Sequence, residues 1–427
     1  MERVRIHLKP KEDLRLRTGH PWVYDNEISR VEGEPEAGGE VEIVDARGHS
    51  VGVAFFNPRS KIRARIYSRE ARPADEAFFA EAIDKALAFR KRHFDIDSQS
   101  VRAVFAEADG LPGLIVDSFV GKAAPREGDA DAGQTAAAPR AASASPDGRW
   151  LSVQLLSLGM AKRKDLIVGV LGELLPNQGM AERSDAPVRA FEGLEASVGI
   201  LSGSVPATIL MPENGLVFGV DLLEGQKTGW FLDQRSNRAA AARHARNTST
   251  GAGRRVLDAF CNAGGFGLAC LAAGADSVLA VDASAEAVAS LTANAERNGL
   301  GGRVKAVSAN AFDFLRNLER QKEKFGLVIL DPPAFAKNRA SIEGAHRGYK
   351  DLNLRALKLL EPGGVLVTCS CSHWFDRERF ASMLEEAAAD AGRRLRILEE
   401  RTQDLDHPIV TGYGESRYLK CVIAETL

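Results

Sequence analysis

The sequence predicts an α/β protein whose second half carries a parallel sheet flanked by helices. Three observations predict it. From about Val205 onward, strand, Gly-rich turn, helix, strand and helix patterns alternate to the end, the order that builds parallel sheets. The first seventy residues instead read as short strands with period-two alternation. A length of 427 residues exceeds one ordinary core, so two or three domains are expected.

Hydrophobic residues make up 44% of the chain and charged residues 27%, which excludes collagen-like, wholly disordered and disulfide-scaffold classes. No apolar run approaches the roughly 18 residues of a membrane span. Met1-Glu-Arg-Val-Arg-Ile6 carries charge where a signal peptide needs an apolar stretch. Five cysteines, an odd and sparse count, suit reduced thiols, so a cytoplasmic location is expected. The net charge of −2 argues neither for nor against a nucleic-acid partner; what matters is where positive charge clusters.

In the first stretch, to about Glu70, Arg5 and His7 alternate with Val4, Ile6 and Leu8. Gly19-His20-Pro21-Trp22 is turn-like. Glu40–Val44 and Val51–Phe56 read as strands joined by Asp45-Ala-Arg-Gly48. In Arg59–Tyr67, a strand would put Arg59, Lys61, Arg63 and Arg65 on one face, about 6.6 Å apart. Such a row suits a phosphate backbone, and equally suits the solvated face of a small barrel.

From Pro73 to about His93, Phe78, Phe79, Ala82, Ile83, Ala86 and Leu87 recur at helical spacing. Strands follow at Val101–Phe105, Leu114–Val120 and Trp150–Leu156, then a helix over about Ala161–Leu175 and further strands to about Gly203. Between Gly121 and Arg149 there is no Leu, Ile, Val, Met or aromatic residue. That segment cannot bury enough apolar surface to offset its ordering, so it reads as a disordered insertion in a hairpin loop. The expected domains are 1–70, 71–204 including this insertion, and 205–427.

The most informative segment runs from strand Arg255–Ala259 into Phe260-Cys-Asn262-Ala-Gly264-Gly265-Phe-Gly267. Glycines let a backbone approach a ligand, and the helix that follows offers unpaired N–H groups. Asp282 closes the next strand, 18 residues beyond Gly264, where a carboxylate can accept from both ribose hydroxyls of an adenosine. The G-x-G-x-x-G of dinucleotide sites is absent. Asp258 before the turn would repel a pyrophosphate but could orient an ammonium or sulfonium, which favours S-adenosylmethionine. Asn310, after the third strand, is a candidate for adenine contact or a plain helix cap.

The fourth strand, Leu327–Leu330, runs into Asp331-Pro332-Pro333-Ala-Phe335. The prolines fix an extended turn and hold Asp331 at the carboxyl edge of the sheet, where it could engage a planar base while Phe335 stacks on it. The fifth strand, Gly364–Thr368, continues into Cys369-Ser370-Cys371-Ser372-His373. A thiolate there could add to carbon 6 of cytosine and make carbon 5 nucleophilic enough to take a methyl group. A metal site made by Cys369, Cys371 and His373 is the rival, but its spacing does not match zinc patterns, so no metal is expected.

These motifs resemble the bacterial large-subunit ribosomal RNA cytosine-5 methyltransferases that carry an N-terminal PUA domain. The resemblance covers nearly the whole chain outside Gly121–Arg149. Its markers are Gly19-His-Pro-Trp22, Glu107-Ala-Asp-Gly-Leu-Pro-Gly-Leu-Ile-Val-Asp117, Glu182-Arg-Ser-Asp-Ala186 and, most specific, Gly225-Gln-Lys-Thr-Gly229-Trp-Phe-Leu-Asp233-Gln-Arg235 with Asn237-Arg238. It implies a PUA-like RNA-binding barrel, a central α/β domain and a Rossmann-like class I methyltransferase domain. It also implies that Lys227, Thr228, Phe231, Asp233, Gln234 and Arg235 join Asp258, Phe260, Asn262, Gly264, Gly265, Asp282, Asn310 and Asp331 around the cofactor. Cys371, within Ser-Cys-Ser, matches the family's nucleophile. Ala334 stands where many RNA cytosine-5 methyltransferases have a second cysteine, which leaves the base for the carbon-5 proton unassigned, with Cys369 a candidate.

The expected function is therefore formation of 5-methylcytosine in large-subunit ribosomal RNA, by a monomer or homodimer with no membrane partner. Two alternatives stay open: methylation of a base nitrogen, and a non-catalytic RNA-binding assembly factor.

Overall fold

The computed structural model describes residues 4–125, 147–225, 228–248, 250–336 and 338–427. Most of the expected insertion, and Lys227, lie outside the described residues. Among the described residues no helix is long and apolar enough to cross a membrane.

Residues up to Ser68 form a six-stranded sheet in the order Trp22–Tyr24, Ile62–Ser68, Ser50–Phe56, Glu40–Val44, Arg5–Leu8, Ile28–Glu32. The period-two reading holds here: Ile6 and Leu8 are buried while Arg5 is exposed. They join Val23, Val41, Ile43, Ala54, Phe56, Ala64 and Ile66 in a small core.

The expected row of four cations does not form. The strand begins at Ile62, so Arg59 and Lys61 precede it in a turn, where both are exposed. Arg63 donates to the backbone oxygens of Asn57 and Pro58. Arg65 is buried and bonds Glu107 (2.8 Å) and Glu192 (2.9 Å), carboxylates from outside this sheet. Its neighbours on the strand turn the guanidinium toward the rest of the protein, where two acids neutralise it.

Helix Glu76–His93 begins at an Asp75 side chain that accepts from the Phe78 N–H, and it buries Phe78, Phe79, Ile83, Ala86 and Leu87. It packs on a second sheet, ordered Ser197–Gly203, Gly179–Ser184, Gly148–Leu155, Leu114–Ala123, Ile209–Glu213, Leu216–Val220, with Val101–Phe105 also on Leu114–Ala123. Leu114–Ala123 and Gly148–Leu155 pair antiparallel down to Gly121 opposite Gly148. Residue 205 is not a break between sheets. The hairpin Ile209–Val220 joins the second sheet through Ile209 and Leu210, which pair with Ala123 and Lys122. Its other edge is held by Asn294 and Asn298, which accept from Gly219 and Val217 N–H groups.

The third sheet is ordered Val304–Ser308, Ser277–Asp282, Arg255–Ala259, Phe325–Leu330, Leu360–Ser370, Lys420–Thr426, Leu395–Arg401. The first five strands are parallel. The last two correct the expectation of a parallel sheet to the end, because Lys420–Thr426 runs antiparallel to both neighbours. The strand order reverses between Arg255–Ala259 and Phe325–Leu330. Ligands bind outside the carboxyl ends of strands at such a reversal, which here carry Asp258 and Asp331.

Candidate active site

The Gly-rich turn is built from backbone that most side chains avoid. Phe260 (φ 66°), Asn262 (φ 46°) and Gly264 (φ 89°) all lie in the left-handed region. For Phe260 this costs on the order of 1–2 kcal/mol, held by tertiary contacts. The N–H groups of Phe260 and Cys261 both donate to the Val281 carbonyl. Asp282 accepts from the N–H of Asn262 (2.9 Å) and of Ser284 (3.0 Å), locking the turn to the neighbouring strand. A side chain at Gly264 would meet Leu291 at 2.8 Å, and one at Gly265 would meet Arg238 at 2.7 Å.

Asp258 is wholly buried. Its Oδ2 accepts from the Gly267 N–H (2.8 Å), and among the described residues its Oδ1 has no hydrogen-bond partner. Burial, together with Asp331 and Asp282 nearby, pushes this carboxyl up to about 7. A buried carboxylate oxygen without a donor costs free energy unless a cationic ligand completes it. The residues therefore fit a cofactor that brings an ammonium or sulfonium to Asp258 and hydroxyls to Asp282.

The segment from Thr228 to Arg238 divides into different roles. Gln234 donates to Asp331 Oδ1 (3.0 Å) and accepts from Asn237. Asp233 accepts from the Tyr418 hydroxyl. Thr228 is buried and donates to Asp117, which also takes both arms of Arg102. Arg235 is committed to Asp404 (2.9 Å), Asp406 (3.1 Å) and the Ser100 carbonyl (2.6 Å). Its guanidinium ties the segment after strand Leu395–Arg401 of the methyltransferase sheet to the central domain. Phe231 ends in a carbonyl that accepts from Arg238. Asn310 is a helix cap, its side chain accepting from Phe312 and Asp313 N–H groups.

Asp331 and Cys371 follow neighbouring parallel strands at their carboxyl ends. Ser370 and Ser372 are fully buried, and both hydroxyls meet the Tyr349 hydroxyl, at 3.0 and 2.8 Å. Ser372 Oγ also accepts from the Ala336 N–H, so the Ser-Cys-Ser loop and the Asp-Pro-Pro loop are fixed to each other. With both serines pinned inward, Cys371 between them is the one cysteine of five that is not buried. Cys369 lies opposite Cys421 in the sheet, fully buried, and that neighbour and burial hold its thiol well above the usual range.

Phe335 is half-buried, packed 4.7 Å from the Tyr349 ring and 6.0 Å from Phe312. It lines a groove of about 720 Å³ with Phe312, Pro333, Ser341 and Arg347, along the loop that follows Asp331. Among the described residues no three His, Cys, Asp or Glu side chains gather as a metal site. Three residues beside this centre were not legible in the sequence: Tyr349, Tyr418 and Lys420. They sit mid-helix or near the chain end, and no local motif marks them.

The fold and the Gly-rich turn define a class I methyltransferase that depends on S-adenosylmethionine. The family described as S-adenosylmethionine-dependent methyltransferase matches residues 192–412, and the PUA-like domain family matches residues 6–69. A protein of Tolumonas auensis named ribosomal RNA large subunit methyltransferase I is 37% identical over 99% of this chain and 99% of its own. A Vibrio cholerae protein of the same name is 37% identical over 97% of each. The chain belongs to this family of ribosomal RNA large subunit methyltransferase I proteins. A solved Streptococcus mutans structure, described as a SAM-dependent methyltransferase, shares the fold with a TM-score of 0.78 at 18% identity, covering 99% of both chains. A second, described as a methyltransferase complexed with SAH, gives 0.78 at 20% identity over 100% of both.

Proposed function

We propose that this protein methylates carbon 5 of a cytosine in large-subunit ribosomal RNA, with Cys371 as the nucleophile. One observation carries the reading: the Tyr349 clamp on Ser370 and Ser372 presents Cys371 at the sheet edge beside Asp331. When bound, S-adenosylmethionine supplies a methyl group on a sulfonium centre. Asp258 and Asp282 would hold it, with Gln234 steadying Asp331 on the substrate side.

The Cys371 sulfur bonds carbon 6 of the cytosine, and the displaced electron pair makes carbon 5 an enamine-type nucleophile that takes the methyl group. Carbon 5 then gives its proton to a water molecule, and the electron pair of that bond re-forms the double bond between carbon 5 and carbon 6. The bond from sulfur to carbon 6 breaks, and its electron pair returns to sulfur. Asp331, kept in place by Gln234, accepts from the exocyclic amine of the base. The target nucleotide must leave its stack to reach this edge. Exposed Arg59 and Lys61 of the PUA-like domain, with Arg63 beside them, would contact phosphates, and Phe335 would line the path of the base. A ribosomal RNA substrate and reduced thiols are in keeping with work in the cytoplasm.

The test is nucleoside mass spectrometry of large-subunit ribosomal RNA treated with the purified protein and S-adenosylmethionine. The expected product is 5-methylcytosine. Cys371→Ala should lose turnover and keep its affinity for S-adenosylhomocysteine. N-methylated bases without 5-methylcytosine, or full turnover by the Cys371→Ala protein, would sink the reading.

A further inference from the structure

Lys420 has no place in the scheme so far. It opens the antiparallel strand Lys420–Thr426 and pairs in register with Ser370, one residue before Cys371. Its side chain is buried, and its Nζ donates to the carbonyl of Ser372 (2.6 Å) and to that of Tyr418 (2.9 Å). Cys371 is thus bracketed by the two residues that Lys420 meets, Ser370 through the sheet and Ser372 through its ammonium. Both acceptors are neutral, and among the described residues Lys420 makes no ion pair with a carboxylate. A buried ammonium without an anion is costly, and proteins keep one where an anion forms or docks.

The charged groups facing it are Cys371, Asp376 and Arg377. Burial pulls the Lys420 ammonium down to about 8; Cys371 and Asp376 oppose that pull, and Arg377 adds to it. The Tyr349 phenol, bonded to the serines on both sides of Cys371, also interacts with it, and burial is the main cause that pushes its ionisation up. His373, next along the chain, is exposed and interacts with Glu415. Lys420 is a buried cation held on the carbonyl of Ser372, next to Cys371, and its charge interacts with the sulfur.

We propose that Lys420 is the positioning residue of the nucleophile: its buried ammonium, tied to the Ser372 carbonyl, holds Cys371 as a thiolate and receives the same thiolate when the bond to the base breaks. The proposal rests on Cys371 being the nucleophile. It also gives a pH profile its shape. Reactivity of the sulfur rises with the thiolate fraction, and the Lys420 ammonium moves that rise to lower pH.

The experiment is alkylation of the full-length protein by iodoacetamide between pH 5 and 9.5, with the Cys371 peptide quantified by mass spectrometry. The sulfur displaces iodide, so the rate follows the thiolate fraction. In the wild type the midpoint should lie clearly below the roughly 8.5 of a free cysteine. Lys420→Met should raise it by about one pH unit and slow alkylation at pH 7 about tenfold. Lys420→Arg should restore most of the rate. An unchanged midpoint in Lys420→Met would overturn the proposal. Should that variant fail to fold, thiolate absorbance near 240 nm in wild type minus Cys371→Ser decides, because a midpoint at or above that of free cysteine overturns it too. The two readings fail separately. Full methylation by Cys371→Ala removes the nucleophile yet leaves the alkylation shift to be seen, whereas an unshifted midpoint removes Lys420 alone.

Discussion

Asp258 holds one oxygen on the Gly267 N–H and leaves the other buried without a donor among the described residues. Its carboxyl titrates near 7, above its unfolded value near 4, first because it is buried. Between those two values the folded state holds a proton that the unfolded state has lost, so stability falls as pH rises through this window. The cofactor-free wild type should lose a few kcal/mol of stability between about pH 5 and 7 from this group. Asp258→Asn should flatten that part of a Tm-against-pH curve. The same variant should bind S-adenosylmethionine at least tenfold more weakly at pH 8, because the ionised form is the one that attracts the cofactor's cation. Calorimetry reads both halves, and an Asn variant that binds normally while keeping the pH slope would refute the role given to Asp258.

The Ser-Cys-Ser clamp shows what one helix residue, Tyr349, contributes to a loop that begins 21 residues further along. Tyr349, in helix Ile342–Leu359, is fully buried against Phe335 and Phe375 and presents its hydroxyl to Ser370 and Ser372. Tyr349→Phe removes that hydroxyl and leaves the ring packing. It should cost about 1–3 kcal/mol in unfolding free energy for the two buried serines left short of a partner. Turnover should fall at least tenfold with S-adenosylhomocysteine affinity unchanged, since the Gly-rich turn lies on another strand. Equal losses of turnover and cofactor affinity would instead mean a general collapse of the sheet edge. Motifs of this kind are legible in the sequence only where they are local. Period-two runs fixed Ile6 and Leu8 inside, and the turn from Asp258 to Gly267 announced itself by its glycines. The Asp-Pro-Pro and Ser-Cys-Ser segments were readable for the same reason. The reversal of the last strands was not, because antiparallel closure by Lys420–Thr426 depends on pairing across fifty residues. Lys420 therefore arrives beside Cys371 with no trace in the residues around it.

Arg65 makes the same point across the domains. Its spacing from Arg59, Lys61 and Arg63 reads as a cationic stripe, yet Glu107 and Glu192, which lie 42 and 127 residues further along, neutralise it in the interior. Glu107 also takes the Trp22 indole N–H, and Glu192 takes the Asn57 amide, so this one junction fastens the PUA-like sheet to the central domain. The Trp22 ring lies 5.2 Å from the Arg65 guanidinium, and Tyr413 of the methyltransferase domain packs on the same indole at 5.3 Å. A basic residue spent in this way cannot release counterions from RNA, whereas an exposed one can. Arg65→Met should therefore destabilise the protein by about 3–5 kcal/mol, since two buried carboxylates lose their cation. Measured where it is still folded, it should leave the slope of log Kd against log salt for RNA unchanged. Lys61→Ala should do the reverse: its stability should stay within about 0.5 kcal/mol of wild type, and its salt slope should flatten by about one. An Arg65→Met protein of normal Tm with a flattened salt slope would return Arg65 to the RNA face and undo the assignment of this junction as structural.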